Sequence, residues 1–227
     1  MALWAIGDLH LSLDTDKPMD VFGGAWIGYV EKLCTGLACI GPEDTTVLLG
    51  DLSWSLDLDH AVKDFTFINQ IPGKKYIIKG NHDYWWSTAE KFRKFCQEHG
   101  FENMQVLNNN CFFYGATALC GTRGWFYDLD NGHNEKVFRR ELIRLETSLK
   151  AAGDCEEKLC FLHYPPVYRG YRCPEIQQLL TQYGVKKCYY GHLHGDSHRL
   201  AIEGFVDGVE YRLAAADFTG FAPIQIK

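Results

Sequence analysis

Five short apolar runs in this chain stop at residues whose side chains carry oxygen or nitrogen lone pairs. Leu3-Trp4-Ala5-Ile6-Gly7 runs into Asp8, Thr46-Val47-Leu48-Leu49-Gly50 into Asp51, and Lys75-Tyr76-Ile77-Ile78-Lys79-Gly80 into Asn81. Leu159-Cys160-Phe161-Leu162 ends at His163, and Lys187-Cys188-Tyr189-Tyr190-Gly191 at His192. Runs this short and this apolar read as buried strands whose C-terminal ends face a common site. Helical spacings lie between the first three: Ile27, Val30, Cys34 and Leu37 share one face, Ala61, Phe65 and Ile68 another, and Phe92, Phe95 and Cys96 a third. This alternation of strand and helix predicts a parallel α/β core.

The remaining elements follow from local signals. Ser87-Thr88-Ala89-Glu90 has the Ser-x-x-Glu spacing of a capping box and predicts the start of the third helix. Cys111 to Tyr114 and Thr117 to Cys120, separated by a turn at Gly115, predict an antiparallel hairpin that opens a second sheet. Phe138, Leu142, Leu145 and Leu149 mark an amphipathic helix over residues 134–152, and Ile176 to Leu180 a shorter one. Arg199 to Val206 and Val209 to Ala214 flank the turn pair Asp207-Gly208, and Ile224 to Ile226 close the chain as a strand.

The residues at the strand ends form motifs: Asp8-Leu9-His10, Gly50-Asp51, Gly80-Asn81-His82-Asp83, His163 and Gly191-His192-Leu193-His194. Each alone is an ordinary loop tripeptide or turn pair. Together they gather five of the nine histidines with the Asn81 amide and the carboxylates of Asp8 and Asp51, Asp83 standing beside them as a third. Two divalent cations held side by side need such a mixed donor set, drawn from several segments. Neutral imidazoles and an amide limit the negative charge, and a carboxylate can bind two ions at once.

Composition narrows the alternatives. At 227 residues and 46% hydrophobic content, one domain spanning 1–227 is expected. A formal net charge of -6 argues against a basic nucleic-acid groove, so stable nucleic-acid binding is not expected. A phosphorylated substrate is compatible, because two divalent ions would outweigh the charges of Asp8 and Asp51. Nine cysteines, an odd number with no Cys-x-x-Cys pair, read as reduced and mostly buried thiols. No basic leader and no membrane-length apolar run are evident, so no membrane partner is expected and a cytoplasmic location is. Oligomeric state stays open.

In order and spacing the motifs resemble those of the calcineurin-like metallophosphoesterase superfamily, along nearly the whole chain, and within it the small prokaryotic phosphohydrolases. The resemblance implies two mixed β-sheets packed as a sandwich flanked by helices, a four-layer αββα architecture. It implies Asp8, His10 and His194 on one metal, Asn81, His163 and His192 on the other, and Asp51 bridging both. A bridging water, acidified to hydroxide, would attack phosphorus in line, and His82 is the candidate general acid. The ions implied are divalent transition metals, with Mn, Fe, Zn, Co and Ni all suited to the donor set. The substrate is a small phosphomonoester or phosphodiester, with nucleotide-like compounds among the candidates.

Further residues carry two readings. Asp83 either orients the His82 imidazole or caps its own loop. Arg123, set between Gly121 and Gly124, either forks onto substrate phosphate oxygens or forms a surface ion pair. Trp85, with Tyr84 and Trp86, either stacks on an aromatic leaving group or packs in the core. His60, His99, His133 and His198 match no motif and stay outside the expected site. Leu52-Ser53-Trp54 departs from the Asp-Arg-Gly continuation of the protein Ser/Thr phosphatases. Trp54 also replaces the metal-binding Tyr of the purple acid phosphatases, and an indole offers no lone pair to a metal. A rival reading, from outside enzymology, is a metal-binding scaffold that keeps the fold as an interaction module.

Overall fold

The structure is a computed structural model that describes residues 1–126 and 135–227. Its contacts divide the chain into two compact units, Met1–Val106 with Ala214–Lys227, and Leu107–Leu213. It is a mixed α/β protein with two large mixed sheets, one in each unit.

In the first unit, strands β1 (Leu3–Ile6), β2 (Thr45–Leu48), β3 (Lys74–Ile77) and β4 (Met104–Val106) pair in parallel, in that order. The C-terminal strand, β13 (Ile224–Gln225), adds to β1 antiparallel. The connections are helices α1 (Tyr29–Leu37), α2 (Val62–Gln70) and α3 (Ala89–Glu98). Parallel strands require such crossovers, and the helices bury the sheet's apolar side chains. Phe65 on α2 sits 4.8 Å from the Trp85 ring, 5.2 Å from Phe92 and 5.6 Å from Phe95. Lys75 is fully buried on β3, where its ammonium donates to the Ile71 and Gly73 carbonyls that close the preceding turn.

Two details differ from the sequence expectation. The buried face of α1 is Tyr29, Leu33 and Leu37, whereas Ile27 and Cys34 are exposed. Gly28 is the cause: its left-handed backbone, φ 64°, starts the helix at Tyr29, two residues after Ile27, and sets a different face inward. The cap of α3 is Thr88, not Ser87, because the Thr88 hydroxyl accepts from the Lys91 N–H at 3.2 Å.

In the second unit, β5 (Cys111–Tyr114) and β6 (Thr117–Thr122) form the expected hairpin. Parallel to β6 follow β7 (Glu157–Leu162), β10 (Val185–Tyr190) and β12 (Val209–Leu213), and β11 (Gly204–Val206) closes the sheet antiparallel to β12. A small ribbon of β8 (Val167–Tyr168) and β9 (Tyr171–Arg172) precedes α5 (Pro174–Gln182). Helix α4 is described from Glu135 to Ala151, and residue 134 of the expected helix lies outside the described residues. The strand expected from Arg199 begins only at Gly204, because Gly195–Leu200 form a 3-10 helix.

Candidate functional site

In the first unit, the loops that leave β1, β2 and β3 run side by side at the C-terminal ends of adjacent strands. Asp8 N–H donates to the Gly50 carbonyl at 2.8 Å, His10 N–H to Asp51 at 2.9 Å, and Leu11 N–H to Leu52 at 2.9 Å. The loops are thereby zipped together, with Asp8, His10 and Asp51 at most 2% exposed. All three adopt positive φ, at 60°, 46° and 50° respectively, a region uncommon for residues with a Cβ. Ligand atoms of Asp8 lie within 4.8 Å of both His10 and Asp51, and His10 Nε2 is 3.8 Å from Asp51 Oδ2. Two buried carboxylates at this spacing repel each other unless a cation neutralises them. The donor set therefore fits a divalent metal ion.

Glycines make this approach feasible. A Cβ on Gly80 would stand 2.0 Å from Asp51 Oδ1 and 2.3 Å from its backbone nitrogen. The close approach lets the β3 loop reach Asp51, whose Oδ1 accepts the His82 N–H at 2.7 Å.

Asp83 is fully buried. Its Oδ2 accepts from the Asp51 N–H at 2.8 Å and the Gly80 N–H at 2.7 Å. Its Oδ1 accepts from Leu52 N–H at 2.8 Å, Ser53 N–H at 3.3 Å and the Trp85 indole at 2.9 Å. These contacts describe a loop cap rather than a group orienting an imidazole. Burial pushes the Asp83 carboxyl upward, and the amides of Gly80, Leu52 and Ser53 pull against that shift.

Trp85 is 3% exposed and packs on Phe65 and Phe92, so it belongs to the core and cannot stack on a substrate. Tyr84 is exposed, and its hydroxyl lies 3.4 Å from His82 Nδ1. Trp54 stands between two of the expected site residues, stacked on His10 at 5.0 Å and tilted against His82 at 4.5 Å. In the sequence Trp54 stands out only as an indole with no lone pair to offer a metal. The overlooked signal is that an aromatic three residues after Asp51 lies on the same loop as the ligand.

In the second unit the same construction recurs on β6, β7 and β10. Arg123 follows β6, His163 follows β7, and His192 follows β10. The His163 N–H donates to the Arg123 carbonyl at 3.1 Å, and the Gly191 N–H to the His163 carbonyl at 3.0 Å. His163 is fully buried, with its ring 5.1 Å from that of His192, whose φ is 72°. His198, set aside on sequence grounds, has a ligand atom within 4.8 Å of His194, because the 3-10 turn after His194 folds it back. The Arg123 guanidinium lies over the Tyr164 ring, 5.4 Å from its centroid, so its observed partner is an aromatic face. Its loop is fixed by Glu141 on α4, which accepts from Thr122 Oγ1 at 2.7 Å and Gly124 N–H at 2.8 Å. His60 pairs with Asp57 at the surface, His99 packs on Phe95 and Phe101, and His133 lies outside the described residues.

Among the described residues no helix is long and apolar enough to cross a membrane. No curated protein sequence matches the chain significantly. Among solved structures it is similar to phosphopantetheinyl hydrolase from Mycobacterium tuberculosis, with TM-score 0.64, 14% identity and coverage of 99% of this chain and 95% of that one. A protein of unknown function from Aquifex aeolicus gives 0.56 at 16% identity, covering 99% and 95%. A protein from Thermus thermophilus gives 0.57 at 13% identity, covering 98% and 96%. At these identities the likeness establishes the fold. Residues 1–196, which contain every motif named above, match the calcineurin-like phosphoesterases. The chain therefore belongs to the calcineurin-like phosphoesterase family, and its function is of the phosphoesterase type.

Proposed function

We propose that this chain hydrolyses a phosphomonoester or phosphodiester at a binuclear centre of divalent transition metals, and that residues 1–227 act as one catalytic domain. In this reading Asp8, His10 and His194 ligate one ion, Asn81, His163 and His192 the other, and Asp51 both. The observation that carries it is the trio Asp8, His10 and Asp51, buried together in left-handed backbone at the ends of adjacent parallel strands. Bound ions would supply Lewis acidity toward the phosphoryl oxygens and an activated water.

His82 is assigned to protonate the leaving oxygen. Its backbone is tied to Asp51, and its ring rests against Trp54 with the Tyr84 hydroxyl beside Nδ1, so the imidazole is held without being enclosed. Asp83 is assigned a positioning role through the loop backbone, and Arg123 a role in orienting substrate phosphate. The substrate is a small phosphorylated molecule in a cytoplasmic setting.

The test is reconstitution of the chelated protein with Mn, Fe, Zn, Co or Ni, assayed on paired chromogenic mono- and diesters. Nucleotides, cyclic nucleotides and phosphopantetheine esters, the last suggested by the name of a structural neighbour, follow. Metal-dependent hydrolysis is expected, and Asp51→Asn should abolish it with every metal. Retained hydrolysis in that variant, or inactivity of the parent protein with all five metals, overturns the reading.

A further inference from the structure

Four cysteines stand in register across the second sheet. Cys111 faces Cys120 across the antiparallel β5–β6 pair, Cys120 faces Cys160 across β6–β7, and Cys160 faces Cys188 across β7–β10. Directly opposed residues on neighbouring strands project to the same face of a sheet, so the thiols form a row. Cys120, Cys160 and Cys188 are fully buried. The row opens to solvent at β5, the edge strand, where Cys111 is half-buried.

The Sγ atoms of Cys111 and Cys120 are 3.8 Å apart. Opposed antiparallel residues have Cα atoms about 4.5–5.5 Å apart, inside the roughly 4.4–6.8 Å span that a disulfide accepts. Rotation about the two χ1 bonds can therefore bring the sulfurs to about 2.05 Å with the backbone in place.

We propose that Cys111 and Cys120 form an oxidation site, a dithiol at the sheet edge that hydrogen peroxide converts to a cross-strand disulfide. The Cys111 thiolate attacks one peroxide oxygen and the O–O bond breaks. Sulfenic acid forms on Cys111, and hydroxide leaves and takes up the thiol proton as water. The Cys120 sulfur then attacks the Cys111 sulfur. The S–S bond forms as the S–O bond breaks, and the departing oxygen leaves with the Cys120 proton as a second water. Two electrons pass from the thiols to the peroxide, and a reducing dithiol reverses the change.

The division of labour follows from the contacts. The Cys120 S–H points at Cys111 and holds its thiol below the ordinary range, with the Lys158 cation assisting against the opposing effect of burial. The same contact, together with burial, pushes Cys120 upward. Cys111 is thus the accessible attacking thiol and Cys120 the resolving one.

The test treats the full chain with hydrogen peroxide, blocks remaining thiols with N-ethylmaleimide and maps the peptides by mass spectrometry. The expected product is a peptide pair joined through Cys111 and Cys120, lost on dithiothreitol treatment. In Cys120→Ser, dimedone should trap a sulfenic acid on Cys111 that the parent protein does not accumulate. Because a serine in that buried position can impair folding, Cys111→Ser at the half-buried position is the second variant, and in it Cys120 should stay reduced. The proposal fails if Cys111 and Cys120 both remain alkylated at peroxide exposures that oxidise the exposed Cys34 and Cys39. It fails equally if Cys111 pairs with another cysteine, or if Cys120 oxidises in Cys111→Ser.

Discussion

Replacing Asp83 by asparagine keeps the shape of the side chain and changes which donors find an acceptor. The amide oxygen can serve the three donors now on Oδ1, those of Leu52, Ser53 and Trp85. The amide nitrogen must then face the Asp51 and Gly80 N–H groups, which lose their acceptor in a fully buried position. A buried donor left unsatisfied costs about 1–3 kcal/mol, so the two together cost about 2–6 kcal/mol. At about 2–4 °C per kcal/mol for a chain of this size, the melting temperature should fall by at least about 4 °C. Differential scanning calorimetry of the parent and Asp83→Asn, both metal-free, measures the shift without any contribution from bound ions. Because the cap also fixes Asp51, metal affinity should fall in the same variant. An unchanged melting temperature with hydrolysis alone impaired would refute this account and restore an orienting role toward His82.

Other perturbations address other links. Gly80→Ala drives a methyl group into Asp51 Oδ1, so metal content measured by plasma mass spectrometry should fall well below that of the parent protein; full occupancy would contradict the close approach. His82→Ala should retain bound metal yet lose about 10²-fold or more in kcat on esters with poor leaving groups, and much less on nitrophenyl esters. Burial holds Lys75 down at about 8 from its ordinary 10.5. Between about pH 8 and 10.5 the unfolded chain holds a proton there that the folded one has released, so stability relative to Lys75→Met should rise with pH through that window and stay level below it. Urea midpoints followed across pH check this, and a pH-independent difference would show that the ammonium stays charged.

Much of this architecture was legible because the strands that end in motif residues are short, apolar and abruptly ended. β1, β2, β3, β7 and β10 were visible for that reason, and each delivers a motif residue to its C-terminal end. Boundaries failed where one backbone conformation overrode periodicity, as at Gly28, which turned Cys34 outward, and at Gly195, whose 3-10 turn runs to Leu200 and shortened the strand expected from Arg199. The tertiary partners of side chains were not legible. Whether Asp83 meets amides or an imidazole depends on the closeness of the β2 and β3 loops. Trp54 and His198 became visible as neighbours of site residues only once their loops had a path.

The left-handed conformation of Asp8, His10 and Asp51 restricts which elements of chemistry the first unit can present. Besides glycine, the residues that tolerate it best are asparagine, aspartate and histidine. A cysteine or glutamate there would pay a steric penalty before meeting any ion. The backbone path itself thus selects oxygen and imidazole nitrogen over sulfur, and steers the site away from soft, thiophilic metals toward borderline and hard ones.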